Sequence, residues 1–524
     1  MAPKGAGADD ISGPDYSIGE VVDHSHALEK RFSLMSTLGV NTSITCTPLA
    51  IGTYLSVVIG VGGSPVFVYA YLVAVTLNLL VCASLAEIAS SYPHSSASPL
   101  LTLVMLGQIF WTAILAPKKI ARPLSYLVGY LTSAAWFFWS ASASLLTAQL
   151  TWALVCVCKS TFVVQPWHYY LVYVAFALLG LLLNWPLVRL FPYFLKGMVY
   201  YINAGALFIL IVLLVRTHPK QSAHFVFADF VNLTGWSSDG TVFMLGLLPG
   251  AVAVNGFDCA AHLTDELPNP SRQVPQVMLG NALLSAVTGF PMILVYMFCN
   301  VKPDNLLAPI GGQPVAQVLL DALDSLPLTI IGILVFIITL ASATACTVTT
   351  FSRVWWSFAR EGGVPFSRLF ARVNENTKLP VNSLIFCVAA IIVLGTIQLG
   401  STTAINAILG ASIVCIYSSY AIPIACLMIN RRLKLPGTHY FNLRRFGPVC
   451  NTIAIIWMAY EFVWLMFPLY LPVAGTTFNY SVAVFSGVIL VSGINWVFHS
   501  RTLYVVPVAL ADVARSVSDG EQKC

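Results

Sequence analysis

Charge is what this sequence has least of. Of its 524 residues only 9% are Asp, Glu, Lys or Arg, against 58% hydrophobic. A soluble domain carries about 25% charged residues. A chain so poor in charge cannot clothe a water-facing surface, so it reads as a polytopic membrane protein, and soluble-domain counting does not apply. The formal net charge of +5 is spread over short loops rather than gathered in a stripe, which excludes a nucleic-acid footprint. The 12 cysteines lie mostly inside apolar runs, with neither metal-ligand spacing nor a secreted disulfide framework. Cys156 and Cys158 form a C-x-C beside a loop that reads as a packed pair rather than a metal site. There is no phosphate-binding loop, nucleophile triad or polar domain large enough to be a nucleotide engine. The expectation is therefore a non-enzyme with no cofactor and no bound metal, and not a primary ATP-driven pump. Residues 1–36 also lack the apolar core of a cleavable signal peptide, so insertion is expected to rely on the first span.

What the chain has instead is apolar runs of the length that crosses a bilayer, about 20 residues each. They fall near 37–61, 65–91, 124–150, 168–188, 194–215, 242–264, 276–299, 326–351, 380–399, 404–429, 449–471 and 480–498. A further run, 97–116, competes for a place. The basic residues decide against it. With twelve spans and the N-terminus inside, 22 Lys and Arg fall on the cytoplasmic side and only Lys159, Arg216, Lys220 and Lys302 outside. A thirteenth span would invert every later loop and expel the basic clusters at 353–378 and 431–445. In the twelve-span arrangement the sequons at Asn232 and Asn479 land outside and are candidate glycosylation sites, whereas Asn41-Thr-Ser lies inside the first span.

Two of these runs are poor continuous helices. The stretch Gly246 to Pro275, GLLPGAVAVNGFDCAAHLTDELPNPSRQVP, begins as a membrane helix but carries Pro249-Gly250, Asn255-Gly256 and Asp258 at mid-span. Broken helix at membrane depth is tolerated only where it lines a cavity or is buried in protein. The first span, TLGVNTSITCTPLAIGTYLSVVIGVGG, holds Thr45, Cys46, Thr47, Pro48 and Gly52 at its centre. Pro48 alone reads as an ordinary kink. Paired with the interrupted sixth span it reads as the second half of a site, because two interrupted helices in corresponding places of two halves mark a transporter binding site. This gives five-plus-five repeats, about 37–215 and 242–429, with extra helices at about 449–498. Short tails, 1–36 and 499–524, flank the twelve-helix domain 37–498.

The residues RFSLMSTLG (31–39), SLAEIASSYP (84–93), LAPKKIARPLSYLVGYL (115–131), the 245–275 stretch, SRVWWSFAREGGVPFSR (352–368), LPVNS (379–383) and SSYAIPI (418–424) resemble those of fungal-type amino acid/choline/GABA permeases of the amino acid–polyamine–organocation superfamily. They follow the family order over most of the chain. The resemblance implies an all-α, twelve-helix integral membrane protein with a LeuT-like inverted-repeat core and two extra helices. It also implies proton-coupled or exchange transport of a small amino acid or amine. Two departures stand out. About ten residues look inserted between Pro93 and Gly107-Gln108-Ile109-Phe110-Trp111, and the first-span break has Thr45-Cys46-Thr47-Pro48 where bacterial relatives have Gly-Ser-Gly.

Four ionisable residues fall inside the spans as drawn: Glu87, Lys196, Asp258 and Glu461. At that depth each is a functional hypothesis. Asp258 follows the Asn255-Gly256 break, with His262 one helical turn on and on the same face. It reads either as the proton-coupling carboxylate or as the cap of the second half-helix. Asn255, Gly256 and Phe257 offer backbone groups and an aromatic face to an ammonium, and Thr45, Cys46, Thr47 and Gly52 are the matching candidates from the first span. Lys196 has the setting of a lysine that in some relatives replaces a coupling sodium; the alternative is an interfacial, snorkelling lysine. Glu87 reads as a salt-bridge partner of a loop arginine, and Glu461 as a packing or oligomer contact. Among Tyr126, Tyr130, Trp136 and Trp139 of the third span, one is a candidate pocket wall. Arg353, Arg360 and Arg368 either gate the inner mouth through Asp265 or Glu266 or are ordinary positive-inside residues. The chain is thus expected to be a secondary-active permease with a small amine or amino acid, protons and the lipid bilayer as its partners, in a plasma or vacuolar membrane. An exporter of a nitrogenous secondary metabolite and a non-transporting nutrient sensor are the alternatives.

Overall fold

A backbone in hydrocarbon has to satisfy its own hydrogen bonds, and this chain does so with helices. The computed structural model describes residues 28–92, 107–400, 402–433, 435, 440–475 and 478–506. Among them, twelve helices are long and apolar enough to cross a membrane. We number them spans 1 to 12: Leu34–Gly60, Gly63–Ser91, Lys118–Cys158, Pro166–Asn184, Phe191–Arg216, Asp239–His262, Pro270–Phe298, Leu326–Arg360, Val381–Leu399, Thr402–Ile429, Arg444–Trp464 and Ser481–Leu503. Each of the twelve expected runs becomes one span. Spans 3 and 8 differ most from expectation, at 41 and 35 residues, because their ends continue as helix into the polar connections.

The surplus apolar run is not a thirteenth span among the described residues. Its described part, Gly107–Leu115, is a nine-residue helix, about 14 Å long at 1.5 Å per residue. Residues 93–106, which hold most of the expected insertion, lie outside the described residues, as do most of the two tails.

Twelve crossings bring the connections alternately to two ends. At one end, which we call the basic end, the N-terminal segment meets the connection after span 6 (Phe32 N to Glu266 O, 3.1 Å) and that after span 8 (Arg31 Nη2 to Thr377 O, 2.6 Å). The residues after span 12 join the same end, where Arg122 donates to the carbonyls of Tyr504 and Arg501 at 3.0 and 2.7 Å. At the other end, Gly62 and Val231 exchange backbone bonds and Leu471 N reaches Thr234 O at 2.7 Å.

Buried polar side chains tie the spans together. Asn78 of span 2 donates to Ala251 O of span 6 at 3.0 Å and accepts from Tyr417 of span 10 and Trp457 of span 11 at 2.7 and 2.9 Å. Glu87, wholly buried at the end of span 2, accepts both oxygens' bonds from Arg432 at 2.7 and 2.6 Å and one from Leu443 N at 2.8 Å. This is the loop-arginine pair expected for Glu87. Glu461 is buried in span 11, outside the two five-span halves.

Removing one member of a buried pair strands the other charge. Arg432→Ala is expected to lower stability by about 3 kcal/mol, read as a fall in thermal midpoint of the detergent-purified protein. The double substitution Glu87→Gln with Arg432→Gln is expected to recover part of it. A single variant as stable as the parent contradicts the assignment.

Candidate functional site

The helices of spans 1 and 6 stop and restart inside the bundle. In span 1, Leu34–Thr45 ends at Cys46, whose φ of 29° and ψ of 37° are left-handed for a residue with a side chain. The chain resumes as Thr47–Ala50, a tighter turn Ile51–Tyr54 and Leu55–Gly60. The break therefore precedes Pro48. Proline sits in the first turn of the resumed helix, where its missing N–H loses nothing, and so it starts a segment instead of kinking one. In span 6, Asp239–Leu245 and Leu248–Ala253 are followed by non-helical residues up to Gly256, at φ 78°, and then by the tight turn Phe257–His262. Gly256 is required twice over: by its left-handed φ, and because a Cβ there would lie 3.0 Å from the Trp139 ring and 3.1 Å from Ile44 Cγ2.

The two interruptions lie against each other, and side chains of span 1 satisfy carbonyls freed in span 6. Asn41 Nδ2 donates to Phe257 O at 2.9 Å, Thr47 Oγ1 to Ala253 O at 2.5 Å, and Cys259 Sγ contacts Asn41 Oδ1. Thr45 Oγ1 donates to Asn41 O at 3.1 Å and accepts from Asn281 and Ser285 of span 7, each at 3.4 Å. The Cys46 carbonyl accepts from Leu49 N and Ala50 N. Gly52 is a close approach: a Cβ there would come within 2.8 Å of Val315, on the short helix Pro314–Leu323. The threonine hydroxyls at the first-span break are thus engaged with protein partners.

Just beyond the break, Asp258 is fully buried. Its carboxylate collects side chains from three elements. Gln108 Nε2, from the short helix before span 3, donates to Oδ2 at 2.7 Å; His262 Nε2 lies 2.9 Å from the same oxygen; Tyr420 of span 10 donates to Oδ1. Asp258 thereby binds side chains, and among the described residues no backbone N–H donates to its carboxylate, so the capping role weighed for it is not what the geometry displays. Phe257 stacks on Tyr420 with centroids 5.4 Å apart. Trp136 stacks on Trp139 at 5.4 Å and meets the His262 ring edge-on at 6.0 Å. Of the four aromatics singled out on span 3, these two border the site; Tyr126 and Tyr130 sit instead with Phe358 at the basic end. Among the described residues, Asn255 Nδ2, His262 Nδ1, Gln108 Oε1 and Trp136 Nε1 are buried without a partner. That is unused hydrogen-bonding capacity around one spot, which a polar solute or water can take up.

Lys196 does not join this group. It is half-buried, with Nζ 5.6 Å above the Tyr193 ring, in the interfacial setting weighed against its coupling role. Asn232 is exposed, its Oδ1 accepting from Thr234 Oγ1 at 2.7 Å. Asn479 is half-buried, and its amide nitrogen donates to Leu465 O and Phe467 O. Gln108, Tyr420, Asn78 and Asn281 were not singled out in the sequence. Their signal was uncharged polar side chains at mid-span, weaker than a charge.

Toward the basic end lies a buried ion pair, Arg353 Nε to Glu266 Oε1 at 2.9 Å, which joins span 8 to the connection after span 6. Beside it are two buried carboxyl groups outside the spans. Burial pushes Asp265 up to about 7, against the pull of the Arg360 charge and with the push of Glu266. Burial likewise raises Glu361 to about 8, opposed by Arg360 and by a hydrogen bond from Tyr504.

With this geometry in view, the comparisons with known proteins are informative. The family model described as Amino acid permease matches residues 32–489, and the chain belongs to that family. A choline transporter of Saccharomyces cerevisiae is 31% identical over 90% of this chain and 82% of its own length. Amino-acid permease 2 of Neurospora crassa is 25% identical over 95% and 90%. Swainsonine transporter swnT of Arthroderma benhamiae is 26% identical over 91% and 92%. The chain is an integral, multi-pass membrane transporter of the kind that carries amino acids or amines.

Two expectations follow. Gly256→Ala should abolish transport while leaving membrane insertion intact, since strain at one positive φ amounts to only about 1–3 kcal/mol; normal transport by that variant contradicts the hinge geometry. Second, a carboxyl group whose folded value is raised contributes stability that is present below its ordinary value and is lost as pH rises through the folded one. The thermal midpoint should therefore fall between pH 5 and about 8, and fall less steeply in Asp265→Asn with Glu361→Gln. An unchanged slope in that double variant overturns the assignment.

Proposed function

We propose that this member of the amino acid permease family moves a small ammonium-bearing solute by alternating access, coupled to a proton held at Asp258. The observation that carries the reading is the Asp258 cluster at the foot of the span 6 break. An ionised carboxylate can accept from Gln108, His262 and Tyr420 at once. A protonated one must itself donate, and His262 Nε2 or the Tyr420 hydroxyl can accept that bond where the Gln108 amide nitrogen cannot. Loading the proton therefore turns one bond of the cluster around, and a rearrangement there is the coupling such a carrier needs. Thr45, Cys46, Thr47, Asn255, Gly256 and Phe257 form the solute site, with Trp136 and Trp139 as its aromatic wall. Rings of this kind attract an ammonium when water is excluded. The names of two relatives, a choline transporter and an amino-acid permease, fit a quaternary or primary amine; that a third is named a swainsonine transporter keeps movement of a nitrogenous secondary metabolite as the second reading. The boundaries of the two repeats, 37–215 and 242–429, the cytoplasmic placing of both termini and glycosylation at Asn232 belong to the same proposal.

Uptake of labelled choline, GABA, basic amino acids and polyamines should be measured in permease-deficient yeast, with and without a proton uncoupler. Uptake of one amine that collapses with the uncoupler is the expected result. Asp258→Asn should lower it by about tenfold or more, the scale of one charge-assisted hydrogen bond. Uptake indifferent to both the uncoupler and the substitution contradicts proton coupling, and solute binding with no flux favours a sensor.

A further inference from the structure

A cavity of about 700 Å³ opens at the basic end, between the N-terminal segment, the turn joining spans 4 and 5, and the connection between spans 8 and 9. Lys30, Arg31, Arg189 and Lys196 line it, against the single carboxylate of Glu29 among its lining residues. Among the described residues, no ion pair engages Lys30, Arg189 or Lys196.

Arg31 is the most telling member. Its side chain is 13% exposed. Nη2 donates to Glu29 Oε2 and Thr377 O, both at 2.6 Å. Its Nε and Nη1 are buried without a partner, and so is Thr377 Oγ1 on the facing wall. The two idle groups flank the engaged Nη2, so each of the two guanidinium edges keeps one free N–H for an oxygen of a phosphate. The position points to a membrane source. Trp185 directly follows span 4, and Tyr193 opens span 5 with 72% exposure. Aromatic side chains at helix ends mark the headgroup level, and basic pockets between helices there suit anionic headgroups.

We propose that this cavity binds the headgroup of a membrane lipid carrying more than one phosphate. Four cations call for more negative charge than the single phosphodiester of a common phospholipid supplies. Arg31 and Thr377 hold one phosphate, Arg189 and Lys196 another, and Glu29 gives up Arg31 as the lipid enters. The N-terminal segment is also bonded to the connection after span 6, through Phe32 N to Glu266 O. Lipid occupancy therefore fastens the segment against that connection.

The test is binding of short-chain phosphatidylinositol bisphosphate to the full-length chain in detergent, with phosphatidylcholine, soluble inositol trisphosphate and inorganic phosphate as parallel probes. Saturable binding of the inositol lipid is expected. Arg189→Gln with Lys196→Gln should weaken it by about 30-fold, from about fivefold per cation, while Arg189→Lys with Lys196→Arg retains most of it. Glu29→Gln should tighten it by about fivefold, an effect that misfolding cannot mimic. Equal binding by parent and the double Gln variant, or no preference over phosphatidylcholine, overturns the proposal. Soluble inositol trisphosphate binding as tightly as the lipid overturns the membrane source.

Discussion

Everything in this fold answers to one constraint: a peptide group freed from its helix inside a bilayer has no water to turn to. Spans 1 and 6 each give up helical bonds at their centres, and neighbouring side chains make good the loss. Asn41 reaches the carbonyl of Phe257, Thr47 that of Ala253, and Asn78 of span 2 that of Ala251. The broken sixth span thus leans on the first, and that dependence fixes the bundle's centre.

The same economy governs the ionisable groups. Glu87 and Arg432 close the end of span 2, Glu266 and Arg353 join the connection after span 6 to span 8, and Asp258 is surrounded by neutral donors and a histidine. The first two are pairs whose separation is expensive, which suits a latch. Asp258 differs because its partners are two neutral side chains and a histidine, so neither a lysine nor an arginine is committed to it.

The architecture was legible to a large degree. Apolar run length gave the spans, and basic residues removed the competing run at 97–116. Proline, glycine and hydroxyl residues exposed both interruptions. Glu87 could be read because a carboxylate at the end of an apolar run needs a cation. What remained hidden was the identity of partners. Gln108, Tyr420, Asn78 and Asn281 are neutral, so no single-residue rule sets them apart from ordinary packing, and Asp258 is joined to Gln108 across 150 positions of sequence. The first-span break falls inside the expected Thr45-Cys46-Thr47-Pro48, but its cause is the left-handed Cys46 and not the proline, and a backbone angle leaves no mark in residue type. Lys196 was ambiguous for a different reason: at a helix start, depth depends on which way a long, flexible side chain leans.

Spans 3 and 8 are the two longest helices, at 41 and 35 residues, and they touch along their length through Phe137 with Phe351 and Tyr130 with Phe358. At 1.5 Å per residue they reach roughly 60 and 50 Å, well beyond a hydrocarbon core of about 30 Å. Packed ring against ring, they form one long element of the bundle. In a rigid pair of that length, any tilt about the middle, beside Trp136, displaces the ends more than the centre, and Arg360 lies at one of those ends.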